Sequence, residues 1–185
     1  GIIGHARESF TVPESVTTEY RTVATEDDDV RFGDGSVAPM PQFGEGLRSH
    51  VTGSTHEPNG MRDVKTQDVH DDLVRGMHEK IEANRDDIVE VEADRAQSAD
   101  TVVVSYGITS RTADGAVDEL RDQGRDVGHL RLKTVWPFPD EAVRAATAGA
   151  TDVFVPEMNL GQVAREVERV SETDITALDR IGGDP

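Results

Sequence analysis

The sequence predicts a three-layer α/β/α domain over residues 61–185, a five-stranded, mostly parallel sheet with helices on both faces, preceded by an extended arm over residues 1–60. Three observations carry this reading. From about Ile88 onward, β-branched apolar runs alternate with stretches at helical spacing, the order that builds a layered α/β sheet. The run Thr101-Val102-Val103-Val104-Ser105 is almost continuously apolar, as a strand buried on both faces must be. Residues 1–60, in contrast, are broken by Gly33-Asp34-Gly35-Ser36, Pro39-Met40-Pro41 and Phe43-Gly44-Glu45-Gly46, so no strand or helix period survives there.

Within the arm, Phe32, Met40, Phe43 and Leu47 are spaced irregularly, as in a strap laid over another surface. The run Glu26-Asp27-Asp28-Asp29 reads as a solvated loop, because neighbouring carboxylates on a flexible segment make no defined cation cage. From Thr66 to Ala83, Val69, Leu73, Met77 and Ile81 recur on one face of an amphipathic helix. Asp68, Asp71 and Asp72 suit its positive end, and Lys80 and Arg85 its negative end. Ile88-Val89-Glu90-Val91 is a short alternating strand. After the central strand, Thr109 or Ser110 can cap a helix whose inner face uses Ala113, Ala116, Val117 and Leu120, and Gly124 ends it. Val127 to Val135 forms the next strand, broken by Pro137-Phe138-Pro139. Pro139 suits the first turn of a helix that points Val143 and Ala146 inward. Asp152 to Val155 is a further parallel strand, Val163, Val167 and Val170 mark another helix, and Ile175 to Leu178 closes the sheet.

Composition narrows the function classes. Without cysteine there is no disulfide, no thiolate nucleophile and no Cys-ligated zinc or iron–sulfur cluster on this chain. With 37 acidic residues against 19 basic ones and a net charge of -18, nucleic acid is excluded as a partner. No long apolar run and no basic-then-apolar leader are visible, so a soluble, cytoplasmic protein with no membrane partner is the expectation. Only Lys65, Lys80 and Lys133 stand among 16 arginines, and the acids are spread along the whole chain. That pattern points to a halophilic, salt-adapted surface.

Two loops leave the carboxyl ends of predicted parallel strands, where open α/β sheets present their contact residues. In Tyr106-Gly107-Ile108-Thr109-Ser110-Arg111 the glycine permits a tight turn, and the hydroxyls sit at a helix start. The loop has neither Gly-x-Gly-x-x-Gly nor Gly-Lys-Ser/Thr spacing, so helix capping plus a domain contact outweighs a nucleotide pocket. In Pro156-Glu157-Met158-Asn159-Leu160-Gly161-Gln162, Glu157 is the only carboxylate, and no second oriented group for acid–base work is evident. Asn159 can form an Asx turn, and Gln162 offers a donor and an acceptor to an interface. Tyr106, Gly107, Thr109, Ser110, Glu157, Asn159, Gly161 and Gln162 are therefore the candidate interface residues, with no catalytic, cofactor or metal residue assigned. His50, His56, His70 and His78 match no zinc spacing. A receiver domain fails because Tyr106-Gly107, Val135-Trp136-Pro137 and Arg180 stand where its acids and lysine belong.

Four segments in order resemble the alpha subunits of 2-oxoacid:ferredoxin oxidoreductases, particularly the 2-oxoglutarate type. They are Val51-Thr52-Gly53-Ser54-Thr55-His56-Glu57-Pro58-Asn59-Gly60, Val104-Ser105-Tyr106-Gly107, Leu130 to Pro139 and Val155 to Gln162, with Ile181-Gly182-Gly183-Asp184-Pro185 similar to the start of the family's terminal segment. The resemblance implies a transketolase C-terminal-like domain whose first strand, Ile88 to Val91, runs antiparallel. It implies oxidative decarboxylation of a 2-oxoacid on thiamine diphosphate with Mg, electron transfer through an iron–sulfur cluster to ferredoxin, and formation of an acyl-CoA from coenzyme A. Those cofactors are expected on other domains or subunits, so none is bound by this chain. The expected partners are the beta subunit and the thiamine-pyrimidine domain that the 185 residues do not contain; with no match before about Arg48, a fragment or truncated gene is expected, inactive in isolation. Two alternatives remain: a stand-alone non-catalytic α/β binding or structural module, and the C-domain of another thiamine diphosphate enzyme.

The charge reading makes a direct prediction. In molar salt the Debye length falls to about 3 Å, so self-repulsion is screened, whereas dilute buffer exposes it. The thermal midpoint is expected to fall on transfer from molar KCl to dilute buffer; an unchanged midpoint refutes a salt-adapted surface.

Overall fold

The computed structural model describes residues 14–16, 18, 21–28, 32, 35–47, 50 and 52–182. Gly33, Asp34, Asp29, Arg48, Val51 and the closing Gly183-Asp184-Pro185 of the segments above lie outside the described residues. The chain divides into two compact units, Ser9–Arg85 and a second one spanning Asp86–Pro185. The first therefore takes in both the segment read as an arm and the helix read as the start of the domain.

In the first unit, helix α1 (Gln67–Ala83) carries Asp68 in its first turn and Lys80 in its last, as the helix dipole favours. Asp63 fixes its entry: its Oδ1 accepts from the Lys65 and Thr66 amides at 2.9 and 3.1 Å, and its Oδ2 from the Thr66 hydroxyl at 2.6 Å. The expected apolar stripe is only partly covered, with Met77 50% exposed and Gly76 the one buried residue of the helix. Upstream, Val23 and Met40 form a parallel bridge, and Ala24 and Ala38 are buried.

The second unit holds a five-stranded sheet in the order β1-β3-β2-β4-β5, made of β1 (Val91–Asp94), β2 (Thr101–Tyr106), β3 (Val127–Leu132), β4 (Asp152–Glu157) and β5 (Ile175–Asp179). β1 pairs antiparallel with β3, and every other pairing is parallel. The α/β architecture is the expected one. Val102 and Val104 of the central strand are completely buried, and with Leu130, Leu132, Val153 and Val155 they form a core against α4 (Asp140–Thr147) and α5 (Gln162–Val170). The alternate strand residues face α3 (Thr109–Asp122), which packs on β2 and β3.

Three local expectations need correction. The strand expected at Ile88–Val91 lies three residues later, and Arg85–Ile88 forms a short helix, α2. Cross-strand charge pairs line this edge beside the core contact of Val91: Glu92 lies opposite Arg131 and contacts it at 3.1 Å, while Lys133 reaches Glu90 at 2.6 Å and Glu92 at 2.7 Å. Neither Thr109 nor Ser110 caps α3; Ile108 occupies the cap position without a side-chain bond, because both hydroxyls are engaged elsewhere. The expected inner face of α3 is half covered, with Ala113 and Val117 buried but Ala116 exposed and Leu120 37% exposed. Gly124, at φ 81, ends that helix as expected. No helix among the described residues is long and apolar enough to cross a membrane.

Two glycines give substitutions of opposite sign. A Cβ at Gly128 would sit 2.6 Å from Ala96 Cα and 2.8 Å from Arg95 O, both backbone atoms that cannot swing away. Gly115, inside α3, has nothing within 4 Å. Gly128→Ala is expected to lower the unfolding free energy by about 1–3 kcal/mol through overpacking. Gly115→Ala is expected to raise it by about 0.5–1 kcal/mol through lost chain entropy. Urea titration in molar KCl reads both, and equal signs refute the packing assigned to β3.

Candidate functional site

The carboxyl ends of β2 and β4 bring both candidate loops together. Gly107 turns the chain at φ 58 immediately after β2, and Thr109 Oγ1 donates back to Tyr106 O at 2.7 Å, closing the loop on itself. At the end of β4, Glu157 is only 2% exposed. Its Oε1 accepts from the Ala164 amide at 2.7 Å, and its Oε2 from the Val163 amide at 2.9 Å and the Tyr106 hydroxyl at 3.1 Å. It serves as the anionic cap of α5, satisfying two of the free amides in that helix's first turn.

Tyr106 completes the network. Its hydroxyl donates to Glu157 and accepts from Asn159 Nδ2 at 2.8 Å, so the two loops are bonded side chain to side chain. Asn159 Oδ1 in turn accepts from the Gln162 amide at 3.0 Å. Gly161 adopts φ 73, a backbone conformation that favours glycine, and a Cβ there would crowd the Asp179 carboxylate at 3.2 Å. Burial, and then the Glu157 carboxylate, push the Tyr106 hydroxyl above its ordinary pKa near 10.0. The network brings together Tyr106, Glu157, Asn159 and the Gln162 amide; Thr109 belongs to the turn, and Ser110 is drawn into a second, buried cluster.

Sequence reasoning missed that second cluster. Ser105 Oγ hydrogen-bonds Ser110 Oγ at 3.0 Å and His129 Nε2 at 2.6 Å, and His129 Nδ1 faces Asp114 Oδ1 at 2.8 Å. The atom order of Asp114, His129 and Ser105 is that of a hydrolytic triad. Burial denies it that role: Ser105 and Ser110 are fully buried and His129 is 4% exposed, so no carbonyl can reach the hydroxyl. The cluster ties β2 and β3 to α3. Only the polar residues at alternating positions of β2 and β3 signalled it.

In the first unit, the segment from Thr52 folds as a tight turn. Glu57 N donates to Met61 O at 2.8 Å, and Asp63 N to Thr55 O at 3.0 Å. Gly60 is obligatory at φ 85, where a Cβ would strike His50 O. His56 Nδ1 bonds Glu57 O at 2.8 Å, and His70 Nδ1 bonds the Thr55 hydroxyl at 3.0 Å. Among the described residues, no three His, Asp or Glu side chains are grouped to hold a metal ion.

Comparison with known proteins sets these loops in context. Residues 99–185 match the family described as pyruvate:ferredoxin oxidoreductase core domain II. The chain is similar over 99% of its length to the 2-oxoglutarate synthase subunit KorA of Methanocaldococcus jannaschii, at 41% identity, covering 50% of that protein, so the similarity includes the residues before Arg48, where no match was expected. It is also 36% identical, over 58% of its length and 31% of the relative, to the ketoisovalerate oxidoreductase subunit VorB of Methanothermobacter marburgensis. The chain thus spans about half the length of the KorA relatives it matches. The fold matches 95% of this chain to 32% of a chain from a 2-oxoglutarate:ferredoxin oxidoreductase of Magnetococcus marinus, solved with 2-oxoglutarate, coenzyme A and succinyl-CoA bound, at a TM-score of 0.77 and 23% identity.

The Tyr106 hydroxyl can be tested through pH. Because its folded pKa is raised, its contribution is complete below the ordinary value near 10.0 and is lost as pH rises through the folded value. Tyr106→Phe, which removes bonds to Glu157 and Asn159, is expected to cost about 1–3 kcal/mol at pH 8. That difference is expected to shrink above pH ~10. Chemical denaturation from pH 8 to 11 measures it, and a difference constant with pH refutes the assignment.

Proposed function

We propose, from the match of residues 99–185 to the pyruvate:ferredoxin oxidoreductase core domain II family, that this chain is part of the alpha subunit of a 2-oxoacid:ferredoxin oxidoreductase. The whole enzyme oxidatively decarboxylates a 2-oxoacid, in this case 2-oxoglutarate, forms the acyl-CoA and reduces ferredoxin. The observation that carries this reading is the 41% identity to a 2-oxoglutarate synthase subunit along 99% of the chain.

Within that enzyme, this chain's own residues act in assembly. The donor set does not fit an iron–sulfur cluster, since there is no cysteine. Nor do the described residues supply an acidic cluster for the magnesium of thiamine diphosphate. We place both cofactors on other domains or on the beta subunit and derive no chemical step here. Glu157 is spent on capping α5 and holding Tyr106, which leaves it no free oxygen for proton transfer. The outer faces of the Tyr106–Ser110 and Glu157–Gln162 loops serve instead as contacts for the adjoining thiamine-pyrimidine domain or beta subunit. The acidic surface keeps this assembly in solution in a salt-rich cytoplasm.

Expression of the tagged chain in a halophilic host and purification in molar KCl tests the reading. An iron- and thiamine-bearing beta subunit is expected to co-purify, and the chain alone is expected to show no 2-oxoacid-dependent dye reduction. A lone, folded chain favours an orphaned structural module. Asn159→Ala with Gln162→Ala in the assembled enzyme is expected to weaken assembly and turnover; unchanged values remove the interface role.

A further inference from the structure

Parallel sheets are normally covered on both faces, and in the second unit one face is covered only in part. On one side α4 and α5 bury the sheet. On the other, α3 packs on β2 and β3, with only slight contact to β4, and among the described residues no other helix of that unit lies beside it over β4 and β5. The result is an apolar trough of about 420 Å³. Its floor is built by Val103, Phe154 and Leu178 and its wall by Ala113, Ala116 and Leu120. Leu178 is 50% exposed and Leu120 is 37% exposed, which explains why the inner face expected for α3 is only half buried.

The shape specifies the occupant. A sheet floor meeting a helix wall is one half of an α/β layer, and the body that completes it is a second helix beside α3, at the 8–10 Å axis spacing typical of packed helices. The alanines at positions 113 and 116 leave α3 low enough for such close approach. The rim also carries a charge requirement. Arg180 lines the trough, and its guanidinium has no acidic partner among the described residues, although carboxylates outnumber cations 37 to 19. An incoming helix with an apolar face and a carboxylate near one edge meets both demands.

Resting on the reading that the chain is part of a longer subunit, we infer that this trough seats an acidic, amphipathic helix of the same subunit. That helix is supplied by the half of the polypeptide that lies outside these 185 residues. The KorA relatives are about twice the length matched here, so the polypeptide needed for such a helix exists in them.

The test uses the full-length subunit in its assembled enzyme, with a photoreactive p-benzoylphenylalanine at position 178 and, as a control on the opposite face of the sheet, at the exposed position 168 of α5. Mass spectrometry identifies the cross-linked peptide. The expected result is a cross-link from position 178 to a helical segment of the same subunit outside these 185 residues, absent from the position 168 control. Arg180→Glu is expected to lower its yield about fivefold or more by like-charge repulsion. A cross-link to the beta subunit, to a second copy or only within these residues overturns the inference, as does reaction with solvent alone. If the beta subunit co-purifies while no such cross-link forms, only the trough assignment fails. If nothing co-purifies, the reading of the enzyme fails as well.

Discussion

A single buried carboxylate organises the carboxyl edge of this sheet. An unpaired charge at the site of Glu157 would cost several kcal/mol, yet it is held by two amides of α5 and the hydroxyl of Tyr106. One side chain therefore joins β4, α5 and β2. The same residue's carbonyl accepts from the Arg180 amide at 2.9 Å, which brings the end of β5 to the same point. The donors are fixed by the fold, so the loops they belong to are ordered before anything docks on them. Ordering entropy is spent in folding, and docking incurs little of it.

The buried cluster on the other side of β2 complements this arrangement. Ser105 and Tyr106 are neighbours on one strand and so point their side chains in opposite directions. Ser105 is tied through His129 and Ser110 to β3 and α3, while Tyr106 is tied to β4 and α5 through Glu157. The turn at Gly107 hangs between two anchors, each made of polar groups with partners. No buried side-chain nitrogen or oxygen among the described residues lacks a hydrogen-bond partner.

Much of this was legible in the sequence. Val102, Val104, Val153 and Val155 announced buried strands through their β-branched runs, and Val163, Val167 and Val170 announced α5 through their spacing. β1 was misplaced because Ile88 and Val89 look more strand-like than Glu92 and Asp94, and only the partner strand supplies the cross-strand partners, such as Arg131 for Glu92, that accompany this register. The loops of the site were singled out by their glycines and their place after strands. The bonds that unite them were not visible, because Tyr106 and Glu157 lie 51 positions apart and no local pattern encodes that meeting. The His129 cluster was hidden for the same reason, and the caps expected of Thr109 and Ser110 failed because tertiary partners took their hydroxyls first.

The two borders of the sheet differ in kind. Strand β1 closes one of them, with Glu92 paired to Arg131 of the neighbouring strand and to Lys133 just past it, and charged side chains on an edge strand discourage addition of a foreign strand. Strand β5 carries Thr176, Ala177 and Leu178 with no such fence. With strand addition discouraged at β1, pairing between copies falls to β5, where joining like edges is two-fold and closes on itself instead of extending.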